Sequence, residues 1–186
     1  MNSLSHKSDG LVKKILIIYS STDGQTRKIS ESMQQTLQAE NVIVKLVSIS
    51  TVCADNLKQS DVVVIGASVR YGKHKKEVFE FVLQHKALLT RIPTAFFSVS
   101  LIARKSNRDT PETNPYIKKF MVAADWTPTL SAVFAGKLNY PKYGFLDRLM
   151  IRLIMYLTNG PTDPNVVKEY TDWSKVTDFS QLISKI

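Results

Sequence analysis

A chain of 186 residues, 44% apolar and 22% charged, suits one compact domain with a sizeable core and is too apolar for global disorder. Its single cysteine, Cys53, excludes an internal disulfide, and without a C-x-x-C pair there is no framework for zinc or an iron–sulfur cluster; a cytosolic chain is expected. Twenty-five basic residues against sixteen acidic give a net charge of +9, which points to an anionic partner or surface.

Residues 1–12 read as a flexible polar tail without the apolar stretch of a signal peptide, and residues 13–186 as a single domain. The apolar, β-branched run at 15–20 predicts a buried strand. Behind it stands Ser20-Ser21-Thr22-Asp23-Gly24-Gln25-Thr26, and then Ile29, Met33 and Leu37, one turn apart, predict a helix over 25–40. A strand that passes through Ser, Thr and Gly into a helix aims backbone N–H groups and a positive helix end at one point, where an anion is stabilised. The loop has neither G-x-x-x-x-G-K-[ST] nor G-x-G-x-x-G, against an NTPase or a dinucleotide site. An ordinary turn with Asp23 as helix N-cap fits the segment equally well.

Further strands are predicted at 42–47, 62–67, 94–100 and 130–137, and further helices at 75–89, 115–124 and 172–186. This alternation predicts an α/β fold: a doubly wound, five-stranded parallel sheet with helices on both faces and ligands at the carboxyl ends of the strands. The loop after the third strand, Gly66-Ala67-Ser68-Val69-Arg70-Tyr71-Gly72, offers small residues for a planar ligand, an aromatic face and a cation, though glycines shaping a turn would look the same. After the fourth strand, Arg104, Lys105 and Arg108 could receive acidic groups or stand as solvated charges. His74, in a run of lysines, reads as solvated surface.

The segment 138–164 is the least ordinary. Phe145 to Leu157 is apolar apart from Asp147, Arg148 and Arg152, too short for the roughly 20 apolar residues of a membrane span but suited to a helix lying in an interface. Tyr140, Tyr143 and Tyr156 flank it, as aromatic side chains do at headgroup level. Packing into the protein's own core or against a second copy in a homo-oligomer is the competing expectation. Residues 101–152 hold nine Lys or Arg against four Asp or Glu, a surplus of five. The segment is expected to interrupt the last strand, which 166–170 would complete.

Taken together, these stretches carry a family resemblance. The loop at 20–26, Ile65-Gly66-Ala67-Ser68-Val69-Arg70-Tyr71-Gly72, Ala103-Arg104-Lys105, Ala135-Gly136-Lys137-Leu138-Asn139-Tyr140-Pro141 and Tyr170-Thr171-Asp172-Trp173 together resemble the menaquinone-dependent protoporphyrinogen dehydrogenases of the flavodoxin-like superfamily, over residues 13–183. The resemblance implies one FMN, its phosphate held by Ser20, Ser21, Thr22, Asp23, Gly24, Gln25 and Thr26. The flavin ring would lie between Ser68, Val69, Arg70, Tyr71 and Gly72 on one side and Ser98, Val99, Ser100, Leu101, Ile102, Ala103 and Arg104 on the other. It implies oxidation of protoporphyrinogen IX to protoporphyrin IX in haem biosynthesis, with electrons passed to a membrane quinone, menaquinone or ubiquinone. The protein would be cytoplasmic and peripheral at the inner face of the cell membrane. A longer polar amino end and Lys73-His74-Lys75 depart from the family pattern.

The residues allow roles to be laid out on that basis. The substrate is an apolar macrocycle bearing two propionates, for which Arg104, Lys105, Arg108, Tyr140 and Tyr143 are the candidates. Phe145, Arg148, Leu149, Arg152, Leu153 and Tyr156 are candidates for contact with an anionic membrane surface and the quinone. Arg70 is the catalytic candidate, stabilising the reduced ring electrostatically; no acid, base or metal ligand is assigned. A flavodoxin that only carries electrons fits poorly with a charge of +9, while an FMN-dependent NAD(P)H:quinone reductase stays open. No nucleic-acid motif accompanies the basic charge.

Overall fold

A computed structural model describes residues 12–40 and 42–186; the expected tail falls almost wholly outside the described residues. In chain order the elements are β1 (Lys14–Ser20), α1 (Gln25–Gln38), β2 (Ile43–Ser48), α2 (Ala54–Lys58), β3 (Val62–Arg70), β4 (Lys73–His74), α3 (Lys76–Leu89), β5 (Thr94–Ser100), α4 (Pro115–Ala124), β6 (Leu130–Ala135), β7 (Lys137–Asn139), α5 (Phe145–Leu157), β8 (Val167–Glu169) and α6 (Trp173–Ser184).

Five strands pair in parallel in the order β2-β1-β3-β5-β6, with the short β4 turned back antiparallel on β3. Both faces are covered, so Ile15–Ile18 are all buried and alternate between two cores. Ile15 and Ile17 face the layer of α1 and α6, where Ile29, Met33, Leu37 and Phe179 pack. Leu16 and Ile18 face the layer of α3 and α4, with Val78, Val82, Ile117 and Phe120. Gly66 is required by the sheet's packing, because a Cβ there would run into the ring of Phe97.

Helix ends follow local chemistry. Asn114 caps α4, accepting from the amide of Tyr116 at 3.0 Å, with Pro115 opening the helix. Asp172 caps α6 by accepting from the amides of Ser174 and Lys175. At α1 the structure corrects the expected cap: Gly24, with φ 91°, occupies the N-cap position without a side-chain bond, and Asp23 points elsewhere.

The segment 138–164 does not interrupt the last strand. Leu130–Ala135 is continuous beside β5, and at Gly136 the chain leaves the sheet. β7 then pairs antiparallel with β8 as a separate two-stranded ladder, so 166–170 completes that ladder and not the main sheet. Leu138, Tyr140, Tyr143 and Met155 form a third, small core beneath α5.

Candidate functional site

The register sets Ser20 opposite Ala67, Ala67 opposite Ser98, and Ser98 opposite Val133, aligning the carboxyl ends of four strands. The strand order reverses between β1 and β3, the place where open α/β sheets bind ligands. A cavity opens there. From the β1–α1 loop and α1 it is lined by Ser21, Asp23, Gln25 and Thr26, and from β3 and its turn by Ser68, Val69, Arg70, Tyr71 and Gly72. Val99, Ser100, Leu101 and Ile102 line it after β5, and Tyr143, Ile151 and Ile154 come from the segment that leaves the sheet.

The chemistry at its floor is that of an anion cradle. The first amides of α1 have no intrahelical partner, as at any helix start. Beside them the Thr26 hydroxyl is buried without a hydrogen-bond partner, and across the cavity the Ser100 hydroxyl is in the same state. Buried polar groups left unpaired are unfavourable by about 1–3 kcal/mol, so two of them lining one cavity fit a ligand bearing acceptor atoms. Thr22 Oγ1 and Ser68 Oγ lie 3.2 Å apart and tie the two loops together. Gln25 donates to Thr171 Oγ1 at 2.9 Å, which in turn donates to the carbonyl of Ala135 at 2.7 Å.

At the other end of the cavity stands Arg70, whose side chain is 18% exposed. It donates to Asp23 Oδ2 at 2.6 Å and also to Asp147 of α5. Burial works to lower its pKa, but the two carboxylates outweigh burial and raise it, so the guanidinium stays charged. Its carbon lies 5.6 Å from the ring centres of both Tyr71 and Tyr143. Burial pushes the Tyr143 phenol above its ordinary value. Its hydroxyl accepts from the Asn139 amide and donates to the Lys137 carbonyl.

Several residues expected at the site lie elsewhere. The Ser20 hydroxyl donates to Glu77 Oε1 at 2.7 Å, and Ser98 is paired with His74 Nε2 at 2.8 Å. Ala103 is buried in the core. Arg104 donates to the carbonyl and hydroxyl of Thr158 and lines a separate shallow groove with Lys105 and Lys168. Arg108 is exposed and lines neither. Tyr140 is 0% exposed and gives its hydroxyl to the Pro161 carbonyl, so it is core of the small domain extension and not a substrate contact or a headgroup anchor. Tyr143 likewise faces inward, and of the three flanking tyrosines only Tyr156, 71% exposed, stands at the surface.

His74 also departs from expectation. It is buried between Phe96 and Phe120, and burial lowers its pKa from 6.5 to about 4. Tyr116, Ile151 and Ile154 line the cavity without having been singled out in the sequence, and Gly136 and Lys137, quoted there only within the family motif, line it as well. Ile151 and Ile154 fall on one helical face with Asp147, but with apolar residues on both sides of that helix the sequence did not show which side faced inward; for Tyr116 there was no signal.

The outer face of α5 is bare. Phe145, Leu146, Leu149, Leu153, Tyr156 and Leu157 are exposed, Phe145 by 80% and Leu157 by 70%. Arg152 is exposed beside them, while Arg148 is half-buried and donates to the Tyr143 carbonyl at 3.3 Å. No helix among the described residues is long and apolar enough to cross a membrane.

Comparison with known proteins agrees with this architecture. The flavodoxin domain family matches residues 16–165. The chain is 40% identical over 173 residues to protoporphyrinogen IX dehydrogenase (quinone) of Escherichia coli strain K12, spanning 93% of this chain and 96% of that one. It is also 40% identical over 168 residues to the protein of that name from Leishmania major, spanning 90% of this chain and 73% of that one. Among solved structures, a flavodoxin from the domain Archaea superposes with TM-score 0.54 at 17% identity, covering 92% of this chain and 96% of that chain. Oxidised Flavodoxin 1 from Bacillus cereus does so with TM-score 0.51 at 13% identity, covering 93% and 98%. At such identities the two structures speak for the fold alone.

Proposed function

This chain belongs to the flavodoxin domain family and, at 40% identity over nearly its whole length, to that of the quinone-dependent protoporphyrinogen IX dehydrogenases; on that premise we propose that it oxidises protoporphyrinogen IX to protoporphyrin IX with one bound FMN and delivers the electrons to a membrane quinone. The observation that carries the reading is a single cavity that joins an anion cradle at the start of α1 to an apolar roof supplied by α5.

The residues fit the cofactor's two ends. Ser21, Thr22, Gly24, Gln25 and Thr26 would hold the phosphate with the opening amides of α1, and the Thr26 hydroxyl gains the partner it lacks. Asp23 does not repel that phosphate with a free charge, because Arg70 pairs with it. Residues 68–72 and 99–102, with Tyr143, would border the ring. Bound FMN supplies two-electron acceptor and donor chemistry at a carbon–hydrogen bond and at a quinone.

The chain's own groups then orient, shield and balance charge. Ile151 and Ile154 cover the cavity and exclude water from the reacting end. Arg70, protonated but shared between Asp23 and Asp147, would border the ring and take part in its charge balance on reduction. Tyr143, held protonated by burial, is not a base, and pyrrole protons leave to solvent. Substrate propionates fit the groove of Arg104, Lys105 and Lys168 at the far end of α5. The bare apolar face of α5, with Arg152 alongside, lies in the headgroup region of an anionic membrane at its cytoplasmic side, where a quinone is reached.

The test is anaerobic mixing of FMN-loaded protein with protoporphyrinogen IX and a menaquinone analogue. Porphyrin fluorescence is expected to appear only when both FMN and quinone are present. Turnover of NADPH with quinone while protoporphyrinogen stays untouched would replace this reading with that of an NAD(P)H:quinone reductase.

A further inference from the structure

Helix α5 carries one carboxylate, Asp147, among apolar and basic residues. It shares a face with Ile151 and Ile154, four and seven positions on, the two residues that roof the cavity. Both of its oxygens are taken: one accepts from the Arg70 guanidinium, the other from the Tyr71 hydroxyl. Arg70 meanwhile donates to Asp23 of the β1–α1 loop. Three segments far apart in sequence therefore meet on one guanidinium.

The turn that presents this guanidinium is not one the sequence would hold unaided. β3 and β4 are joined by two residues only, Tyr71 at φ 50° and Gly72 at φ 77°. Two positive φ values in a two-residue hairpin loop make a type I′ turn, whose first position favours Asn, Asp or Gly. A tyrosine in the left-handed region is strained and persists where its surroundings over-determine it. Here the surroundings are Asp147, through the Tyr71 hydroxyl, and the Arg70 guanidinium over the Tyr71 ring. Electrostatically the cluster is one cation shared by two anions, so the Arg70 charge is over-neutralised at the edge of the cavity.

We propose that Asp147 is a positioning residue for the reaction: it fixes Arg70 and Tyr71 at the cavity edge, holds α5 down as the roof, and by over-neutralising Arg70 sets how readily the cavity accepts added negative charge. The inference rests on the flavin reading given above. It makes the extension more than an attachment to the sheet, since the helix with the bare apolar face is tied by the same carboxylate to the loops that border the cofactor.

The experiment uses FMN-loaded protein with Asp147→Asn and Asp147→Glu. Removing the charge leaves Arg70 one anionic partner, so reduction becomes easier. The midpoint potential, read by dye equilibration, is expected to rise by the equivalent of a tenfold change in the reduced-to-oxidised ratio, about 30 mV for a two-electron couple. Hydrogen–deuterium exchange in 145–157 is expected to quicken at least tenfold, and Asp147→Glu is expected to return both readouts toward the parent. An unchanged potential in Asp147→Asn overturns the positioning role, and faster exchange with that unchanged potential reduces Asp147 to a structural tie. A parent chain whose visible spectrum shows no FMN uptake removes the flavin reading itself and this proposal with it, and the initial titration shows that before either variant is compared.

Discussion

His74 illustrates how a single residue's environment becomes a property of the molecule. Its ring sits 5.0 Å from that of Phe120 and 5.6 Å from that of Phe96, and Nε2 is paired with Ser98, so the folded chain holds it neutral to about pH 4. The unfolded chain binds a proton there below its ordinary 6.5. Between these values the unfolded state binds more protons, so stability is full above pH 6.5 and falls as the pH drops towards 4, by up to about 3 kcal/mol. Melting temperatures of the parent are expected to decline through that window, and those of His74→Gln, neutral at every pH, to decline less. Parallel profiles for the two proteins would show that His74 is not the source. None of this was legible locally: the neighbours of His74 in sequence are lysines, and the phenylalanines that desolvate it come from β5 and α4. The same holds for Asp23, whose partner Arg70 is 47 residues away.

At the scale of elements, legibility followed length. The main strands and the helices over 25–38, 76–89, 115–124, 145–157 and 173–184 stand where apolar periodicity placed them, within a few residues. The elements that escaped are short: α2 has five residues, β4 two and β7 three, while β8, three residues inside the expected strand at 166–170, pairs with β7 and not with the last strand of the sheet. Two or three residues carry no period, and the β7–β8 ladder closes over a span in which only tertiary pairing identifies the partner. Helix α5 was legible as an apolar helix interrupted by Asp147, Arg148 and Arg152, but which side faced inward was not, since both sides are apolar. The structure resolves it: Ile151 and Ile154 line the cavity, Asp147 pairs with Arg70 and Tyr71 at its edge, and Leu149 and Leu153 are exposed. Replacing both outward leucines, as in Leu149→Ser/Leu153→Ser, is expected to weaken binding to phospholipid vesicles at least tenfold, given about 1.5–3 kcal/mol for each fully buried leucine. FMN affinity, measured by fluorescence quenching, is expected to change less than twofold. Equal losses in both measurements would mean that α5 supports the cavity and not a membrane contact.

For the whole molecule, the charge of +9 would add a long-range attraction to the proposed contact of α5 with an anionic bilayer. Exposed charges are screened beyond roughly 10 Å at 0.1 M salt and 3 Å at 1 M, and each basic residue near an anionic bilayer contributes about 1 kcal/mol. Co-sedimentation with vesicles containing anionic lipid is expected to fall at least tenfold between 0.05 and 0.5 M salt. Binding to neutral vesicles is expected to be weaker and nearly indifferent to salt. Strong salt-independent binding to both would assign the affinity to α5 alone.

One hydrogen bond near the sheet's edge has a further consequence. The Tyr170 amide donates to the Gly136 carbonyl at 3.1 Å, so the excursion that carries β7, α5 and β8 departs and returns at nearly the same point. Because loop closure grows only logarithmically, doubling such an excursion costs about 0.6 kcal/mol. The strands that hold the cofactor feel little of what is spliced in between. A sheet of this kind is therefore open to evolutionary exchange at that seam, where one scaffold can acquire, lengthen or shed a module that reshapes the cavity's roof while the parallel sheet itself is inherited unchanged.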